Sequence, residues 1–266
     1  MESQIFAKQI RERSLQMVHQ AHASHIGGAL SMADIIAVLF THVMRYDASR
    51  PDWEERDRFI LSKGHACVSY YTALAQVGFI ADADLDTYSQ NGSQLMCHVS
   101  HKIPGVEVSA GSLGHGLPYG IGMALAAQRK KRHYRTFVLL GDGEMDEGSN
   151  WEGLMFAAHH RLHQLCAIID YNKIQSLGNT NEVMCLEPLK DKLVAFGCNV
   201  LEVNGHDHEA LLSAFRQFEQ EQQRPTVIVA HTVKGKGVSY MENNLAWHYK
   251  SPDDQQLEAA IEEIEQ

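Results

Sequence analysis

Apolar or small side chains recur at Phe6, Ile10, Met17 and Ala21, with Lys8, Arg11, Glu12 and Arg13 between them. This spacing predicts an amphipathic first helix over residues 4–22. After the Gly27-Gly28 turn, Ser31 is placed to cap a helix through Ile35, Ile36, Val38 and Leu39, which ends near the 47–52 loop with Pro51. Arg58 to Ser62 reads as a short strand, broken by Gly64 and followed by a helix through Tyr70 to Ala75. Residues 91–118 are rich in Gly, Ser, His and Pro, too irregular for an element and too long for an idle connection, as functional loops are.

The second half alternates more plainly. Thr136 to Leu140 is a compact apolar run that stops at Gly141-Asp142-Gly143, as a buried strand feeding a turn does. Trp151, Leu154, Met155, Ala158 and Leu162 recur at helical spacing, and Leu165 to Asp170 is again strand-like, so the three form a βαβ unit. Further strands are expected at Asn199 to Val203 and Thr226 to Ala230, with a helix from His208 to Glu221 between them. At least four strands alternating with helices predict an α/β fold, a doubly wound, mostly parallel sheet with helices on both faces. No internal repeat or linker divides the chain, so residues 1–266 are expected to form a single domain. Leu257, Ala260, Ile261 and Ile264 give the acidic tail an amphipathic helical pattern, suited to docking on this chain or on a partner.

Composition narrows the function classes. Hydrophobic types make up 44% and charged types 21% of the 266 residues, the balance of an ordinary globular protein. The 33 acidic residues outnumber the 23 basic ones, for a net charge of −10, which argues against nucleic acid or an anionic membrane as the main partner but leaves room for a local basic pocket. The longest uncharged stretch, Val108 to Gln128, holds five glycines, Pro118 and His115, and is no membrane helix. Charges from Glu2 through Arg13 give no secretory signal, and a cytoplasmic location is the default expectation. The five cysteines, an odd number without a CxxC pair, are expected as reduced, mostly buried thiols.

In an open parallel sheet, ligands settle beyond the carboxyl ends of the strands, and here two strand ends carry oxygen ligands, Asp142 and Asn172. Thirty residues separate them (172 − 142), the length of one right-handed crossover to an adjacent strand, so the two side chains can converge. One carboxylate and one amide oxygen suit Mg²⁺ that keeps water and takes its remaining ligands from a phosphorylated molecule. Gly141 and Gly143 let the backbone approach a phosphate, and the following helix N-terminus favours its charge. The expected ligand is a diphosphate.

Gly141-Asp142-Gly143-Glu144 with Glu147-Gly148, then Asp170-Tyr171-Asn172-Lys173-Ile174, resembles the signature by which thiamine-diphosphate enzymes hold Mg²⁺. Ser24-His25-Ile26-Gly27-Gly28, Leu61-Ser62-Lys63-Gly64-His65-Ala66, Pro104 to Glu107 with Ser109 to Gly114, and Thr232 to Gly237 together resemble the transketolase family, over residues 10–250. The resemblance covers the amino-terminal, diphosphate-binding third of a full-length transketolase, and so implies the small subunit of a split enzyme.

By this resemblance the metal ligands are Asp142, Asn172 and the carbonyl of Ile174, with Ca²⁺ or Mn²⁺ as substitutes for Mg²⁺. The cofactor-binding set is His65, Lys63, Gly111, Leu113, Gly141, Gly143, Glu144, Asn172, Lys234 and His248. His25, His98 and His248 match the substrate-facing histidines, and Glu147 matches a glutamate that reaches the subunit interface, which completes the catalytic set. The chemistry needs such groups: cleaving the bond next to a ketose carbonyl requires a base for the neighbouring hydroxyl proton. An imidazole of ordinary pKa near ~6.5 can accept and return it. The other histidines get bland readings: His159, His160 and His163 on the helix after the GDG turn, and His19 and His22 on the first helix, as structural, and His101 as a loop residue.

Ser24, Cys97, His115 and Tyr249 depart from the family pattern and crowd the substrate side more than the diphosphate side. The family's pyrimidine-binding and carboxy-terminal domains match nothing in this sequence. The resemblance therefore implies a separate subunit carrying them, an α2β2 assembly, sugar or sugar-phosphate substrates, and a chain inactive alone in two-carbon ketol transfer from ketose to aldose. The alternatives are a subunit of another thiamine-diphosphate enzyme, of the deoxyxylulose-phosphate-synthase or 2-oxo-acid-decarboxylating kind, and a non-catalytic cofactor-binding subunit. Retention of the substrate-facing histidines speaks against the last.

Overall fold

The computed structural model describes residues 2–265. Its elements run in the order α1 (Ser3–Ala21), α2 (Ile26–Ser31), α3 (Ala33–Val38), β1 (Arg58–Leu61), α4 (Cys67–Gln76), α5 (Gly116–Lys130), β2 (Thr136–Gly141), α6 (Gly148–His159) and β3 (Leu165–Tyr171). Then come α7 (Thr180–Val183), α8 (Leu189–Ala195), β4 (Asn199–Asn204), α9 (His208–Gln220), β5 (Thr226–His231) and α10 (Asp254–Glu265). The five strands form one parallel sheet in the order β1-β2-β3-β5-β4.

Alternation along the strands decides which face each side chain serves. Phe59, Leu61, Phe137, Leu139, Cys166 and Ile168 pack into the larger core with α1, α3, α4, α9 and α10. Their neighbours Ile60, Val138, Leu140, Ala167 and Ile169 point the other way, into a second core with α5, α6 and α8. The central strands β2, β3 and β5 read as continuous apolar runs because both faces are covered there, as the doubly wound reading requires; the edge strand β4 is only partly buried. The terminal helix docks on this chain: α10 lies along α1 and buries Ala260 and Ile264.

Three local readings are corrected. Ser31 caps nothing; it ends α2, and its hydroxyl donates to Gly28 O (3.0 Å) and Asp170 Oδ2 (2.6 Å), satisfying a buried carboxylate instead. The helix after the GDG turn ends at His159 rather than Leu162, because the chain turns back through Arg161 at φ 51°. The irregular stretch gives way to α5 at Gly116, and the absent side chain at Gly120 is what lets that helix press on Val138 of the sheet.

Residues 91–115 contain no helix or strand, yet they are pinned. Glu107 pairs with Arg56, Tyr70 Oη donates to Gly105 O at 2.7 Å, and Tyr71 Oη to His98 O at 3.0 Å. This loop forms one wall above the carboxyl edge of the sheet. No helix among the described residues is long and apolar enough to cross a membrane.

Candidate cofactor site

Gly141 of β2 stands opposite Asp170 of β3, so the chains leaving these adjacent strands carry Asp142 and Asn172 out side by side. Asp142 Oδ1 accepts from Gly143 N at 2.7 Å, and its Oδ2 accepts from Lys173 N. Asn172 Oδ1 accepts from Ile174 N at 3.1 Å. Burial, reinforced by the charge of Asp170, raises the Asp142 carboxyl to about 6. The Lys63 charge and the two backbone N–H groups offset this only in part, and the donors gathered here (carboxylate, amide and carbonyl oxygen) are hard ligands that suit a cation of the Mg²⁺ type.

These groups line a cavity of about 260 Å³. Two buried ammonium groups enter it. Lys63 donates to Asp170 and to Gly28 O (3.0 Å); Lys234 donates to Ile174 O (2.9 Å), with its Nζ 3.0 Å from His248 Nδ1. Burial, then Lys63, lowers Lys234 to about 8. Lys63 is paired with Asp170, yet its charge still acts against that of Lys234, and an anionic ligand in the cavity would relieve this repulsion.

Four imidazoles close the cavity. The ring of His25 lies 5.1 Å from His65, 6.1 Å from His98 and 5.0 Å from His248, centroid to centroid. His25 sits at φ 72°, a left-handed conformation unusual for a residue with a side chain, and its N–H donates to His248 O at 2.9 Å. Burial, then the neighbouring histidine and lysine charges, lowers His25 to about 4; burial, then Lys234, lowers His248 to about 3. His65 and His98 are lowered as well, first by burial. The expectation of an ordinary imidazole pKa is therefore corrected: all four are neutral hydrogen-bonding groups at neutral pH, and weaker bases than a solvated histidine.

Gly111, Leu113, Gly141, Gly143 and Ile174 also line the cavity. A Cβ at Gly143 would press on Gln175, and one at Gly111 on His98, so both glycines mark close backbone approach. Two expected residues have other surroundings. Glu144 reaches the cavity wall, but its carboxylate is spent inside the protein, accepting from Ser62 Oγ, Gly114 N (3.0 Å) and Gly141 N (3.2 Å). It clamps the GDG turn to the loop wall rather than facing a ligand. Glu147 is exposed at the start of α6 and does not line the cavity.

The structure adds residues to the expected site set. Gly28, quoted only as part of a motif, and Gln175 and Ser176, outside every motif, line the cavity. Asp170, known from the sequence only as the first letter of a DxN pattern, is a fully buried hub that accepts from Lys63, Ser31, Thr232 and, at 3.4 Å, Asn172. The four pattern departures lie beside lining residues instead of in the cavity. Ser24 Oγ is 2.9 Å from His25 Nδ1, Cys97 Sγ is 3.5 Å from His98 Nδ1, His115 Nδ1 is 3.0 Å from Leu113 O, and the Tyr249 ring stacks edge-on to His248. His19 bonds Pro252 O and Asp254, the structural role expected of it, and His101 bonds Ser109 outside the cavity.

Hard oxygen donors and paired ammonium groups at the carboxyl edge of a doubly wound sheet define an α/β protein of the diphosphate-binding class. The sequence model described as "Transketolase, thiamine diphosphate binding domain" matches residues 2–263. The chain belongs to the transketolase family, a family of thiamine-diphosphate-dependent transferases. It is 43% identical over 254 residues to one of the subunits of the apulose-4-phosphate transketolase of Phocaeicola vulgatus, covering 96% of this chain and 90% of that one. It is 40% identical over 260 residues to the 6-deoxy-6-sulfo-D-fructose transketolase subunit SqwG of a Clostridium species, covering 97% and 94%. Among solved structures, the transketolase of Leishmania mexicana superposes with a TM-score of 0.94 at 32% identity, and that of Campylobacter jejuni with 0.95 at 30%. Nearly all of this chain is covered in both, but it spans only 42% of the length of those two enzymes.

Proposed function

We propose that this chain is the diphosphate-binding subunit of a two-part transketolase, which transfers a two-carbon ketol unit from a ketose or its phosphate to an aldose or its phosphate. The observation that carries the reading is the convergence of Asp142, Asn172, Lys63 and Lys234 on one cavity under four neutral imidazoles. Asp142, Asn172 and the Ile174 carbonyl would hold Mg²⁺, and Lys63, His65, Lys234 and the backbone at Gly143 would hold the diphosphate. Thiamine diphosphate, when bound, supplies the carbanion chemistry that amino-acid side chains lack. The rest of the work falls to the chain. His25, His98 and His248 surround the space where a sugar would extend, and as neutral rings they can bind its hydroxyls and take up the proton released as the carbon–carbon bond breaks. The two lysines neutralise the diphosphate, and with their charge offset the imidazoles become better bases.

The partner reading is supported by the names of the relatives, which are called subunits and are matched over nearly their whole length. It is also supported by an exposed apolar face on α5 and α6, where Tyr119 is 54%, Met155 59% and Phe156 42% accessible. Glu147, expected at the subunit interface, is exposed at the start of α6. The partner would carry the pyrimidine-binding and carboxy-terminal domains in an α2β2 assembly. A cytoplasmic setting fits five unpaired thiols, three of them buried.

The test is calorimetric titration of thiamine diphosphate with and without Mg²⁺, on the chain alone and mixed with its partner subunit, using wild type and Asp142→Ala. Metal-dependent binding that the substitution abolishes supports the reading. Absence of binding with the partner present overturns it, and ketol transfer by the chain alone overturns the two-part assembly.

A further inference from the structure

Arg11, Asp34 and His206 line no part of the cofactor cavity, yet the buried Arg11 and Asp34 and the partly buried His206 are gathered at the rear of the segment that carries Lys234. Arg11 of α1 donates from Nη1 to Asp34 Oδ1 (3.1 Å) and from Nη2 to Oδ2 (2.5 Å). His206, in the turn after β4, brings Nδ1 within 2.7 Å of Asp34 Oδ2, and His208 Nε2 stands 3.0 Å from Oδ1. Burial opposes the Asp34 charge, but hydrogen bonds from the two histidines and the Arg11 guanidinium hold its carboxyl well below the usual range.

The other edge of the His206 ring settles its proton. Nε2 accepts the Val233 N–H at 2.8 Å, so that nitrogen is bare and the ring proton sits on Nδ1, directed at Asp34. Arg11 reaches the same segment, its Nε donating to Lys236 O at 3.1 Å. Val233 and Lys236 are thereby tied to one carboxylate, and Gly235 N between them donates to Gly27 O at 2.9 Å. Lys234 is the residue enclosed by these ties, and its ammonium must meet Ile174 O and His248 across the cavity.

We infer that Arg11, Asp34 and His206 are positioning residues, a carboxylate–imidazole–amide relay that sets Lys234 in the cavity from behind. A buried ion pair is a weak source of stability against an apolar replacement. Its directional bonds to the backbone at both sides of one lysine give it a positioning task, since a shift of an ångström would take the ammonium from both partners. The inference rests on the diphosphate role proposed above for Lys234.

The tautomer, the tether and the role of Lys234 are tested separately. In protein labelled with ¹⁵N-histidine, His206 is expected as the Nδ1–H tautomer; the Nε2–H tautomer overturns the relay without any substitution. His206→Leu removes the acceptor, whereas His206→Gln keeps an acceptor oxygen. In the leucine variant, hydrogen exchange at the Val233–Lys236 amides is expected to quicken by about tenfold, and the KM for thiamine diphosphate in the complex with the partner subunit to rise by about as much at little-changed kcat. Glutamine should restore most of both. Unchanged exchange in a folded leucine variant overturns the tether. A Lys234→Ala variant that binds thiamine diphosphate as tightly as wild type overturns the cofactor role of Lys234, whatever the exchange shows.

Discussion

Lys63 and Asp170 form an ion pair with both side chains shut away from solvent, joining the turn after β1 to the end of β3 beneath the cofactor cavity. Burial opposes the Asp170 charge, but the Lys63 ammonium, and after it hydrogen bonds from Ser31 and Thr232, holds the carboxyl below the usual carboxylate range. Removing one member leaves the other as an uncompensated buried charge. Asp170→Asn is expected to lower the unfolding free energy by about 3–5 kcal/mol, read from the denaturant midpoint. Replacing both, as Lys63→Met with Asp170→Leu, should cost less than the single change while still abolishing cofactor binding. A double variant no more stable than the single one would show that the cost lies in packing.

Gly64 follows the lysine, and a Cβ there would run into the backbone carbonyl of Ala110. The turn after β1 and the loop wall are thus in direct backbone contact, helped by the hydrogen bond from Val99 N to Gly64 O at 3.3 Å. Gly64→Ala must push the two apart, and with them His65 and His98. A loss of about 1–3 kcal/mol is expected from overpacking. A larger proportional loss in thiamine diphosphate affinity should accompany it, measured by calorimetry on the complex.

Acid should act on the fold in two windows. His25 is lowered from 6.5 to about 4, first by burial. Between those values the unfolded chain binds a proton that the folded chain refuses, so stability falls as pH drops from 6.5 to 4. Asp34 has the opposite charge change: its folded pKa lies below its ordinary 3.8, so its contribution is complete above that value and is lost as pH falls further. Melting temperatures across pH 2–7 should show His25→Ala reducing the slope of the upper window, which the other lowered imidazoles share, and Asp34→Asn reducing that of the lower one. An Asp34→Asn variant with the wild-type acid slope would remove Asp34 from the account.

The central strands β2, β3 and β5 were legible because the sheet is buried on both sides there, which makes each an apolar run closed by a polar or glycine turn, whereas the edge strand β4 is only partly buried and carries Glu202 in its middle. The separation of Asp142 and Asn172 also carried its own geometry, since a single crossover returns the chain to the neighbouring strand. The small residues from Ser109 to Gly122 suited both tight helix–sheet packing and close approach to a cofactor, and the structure divides them, with α5 packing through Gly120 and Gly111 lining the cavity. Glu144 was grouped with the cofactor residues because it adjoins the GDG turn, whereas direction decides its role and its carboxylate turns inward. Asp170 was invisible as a hub because Ser31, Lys63 and Thr232 lie 139, 107 and 62 residues from it along the chain. The convergence of the histidines was an expectation from family resemblance alone, and no spacing rule would have found it.

The apolar face of α5 and α6 yields the last prediction. Met155 and Phe156 stand out from α6 while Leu154 and Ala157 of the same helix are buried, so substitutions at the outer pair need not disturb the core. A lone chain gains nothing from exposing them together with Tyr119, and their exposure favours adhesion to another apolar surface. Met155→Asp with Phe156→Ser should leave the melting temperature within a few degrees of wild type, because exposed positions contribute only about 0.5 kcal/mol either way. The same variant should lose association with the partner subunit, measured by sedimentation, and with it the ketol-transfer activity of the mixture. Loss of activity with association intact would mean that the face serves the chemistry and not the assembly. Intact association and activity would move the partner's docking site away from α6.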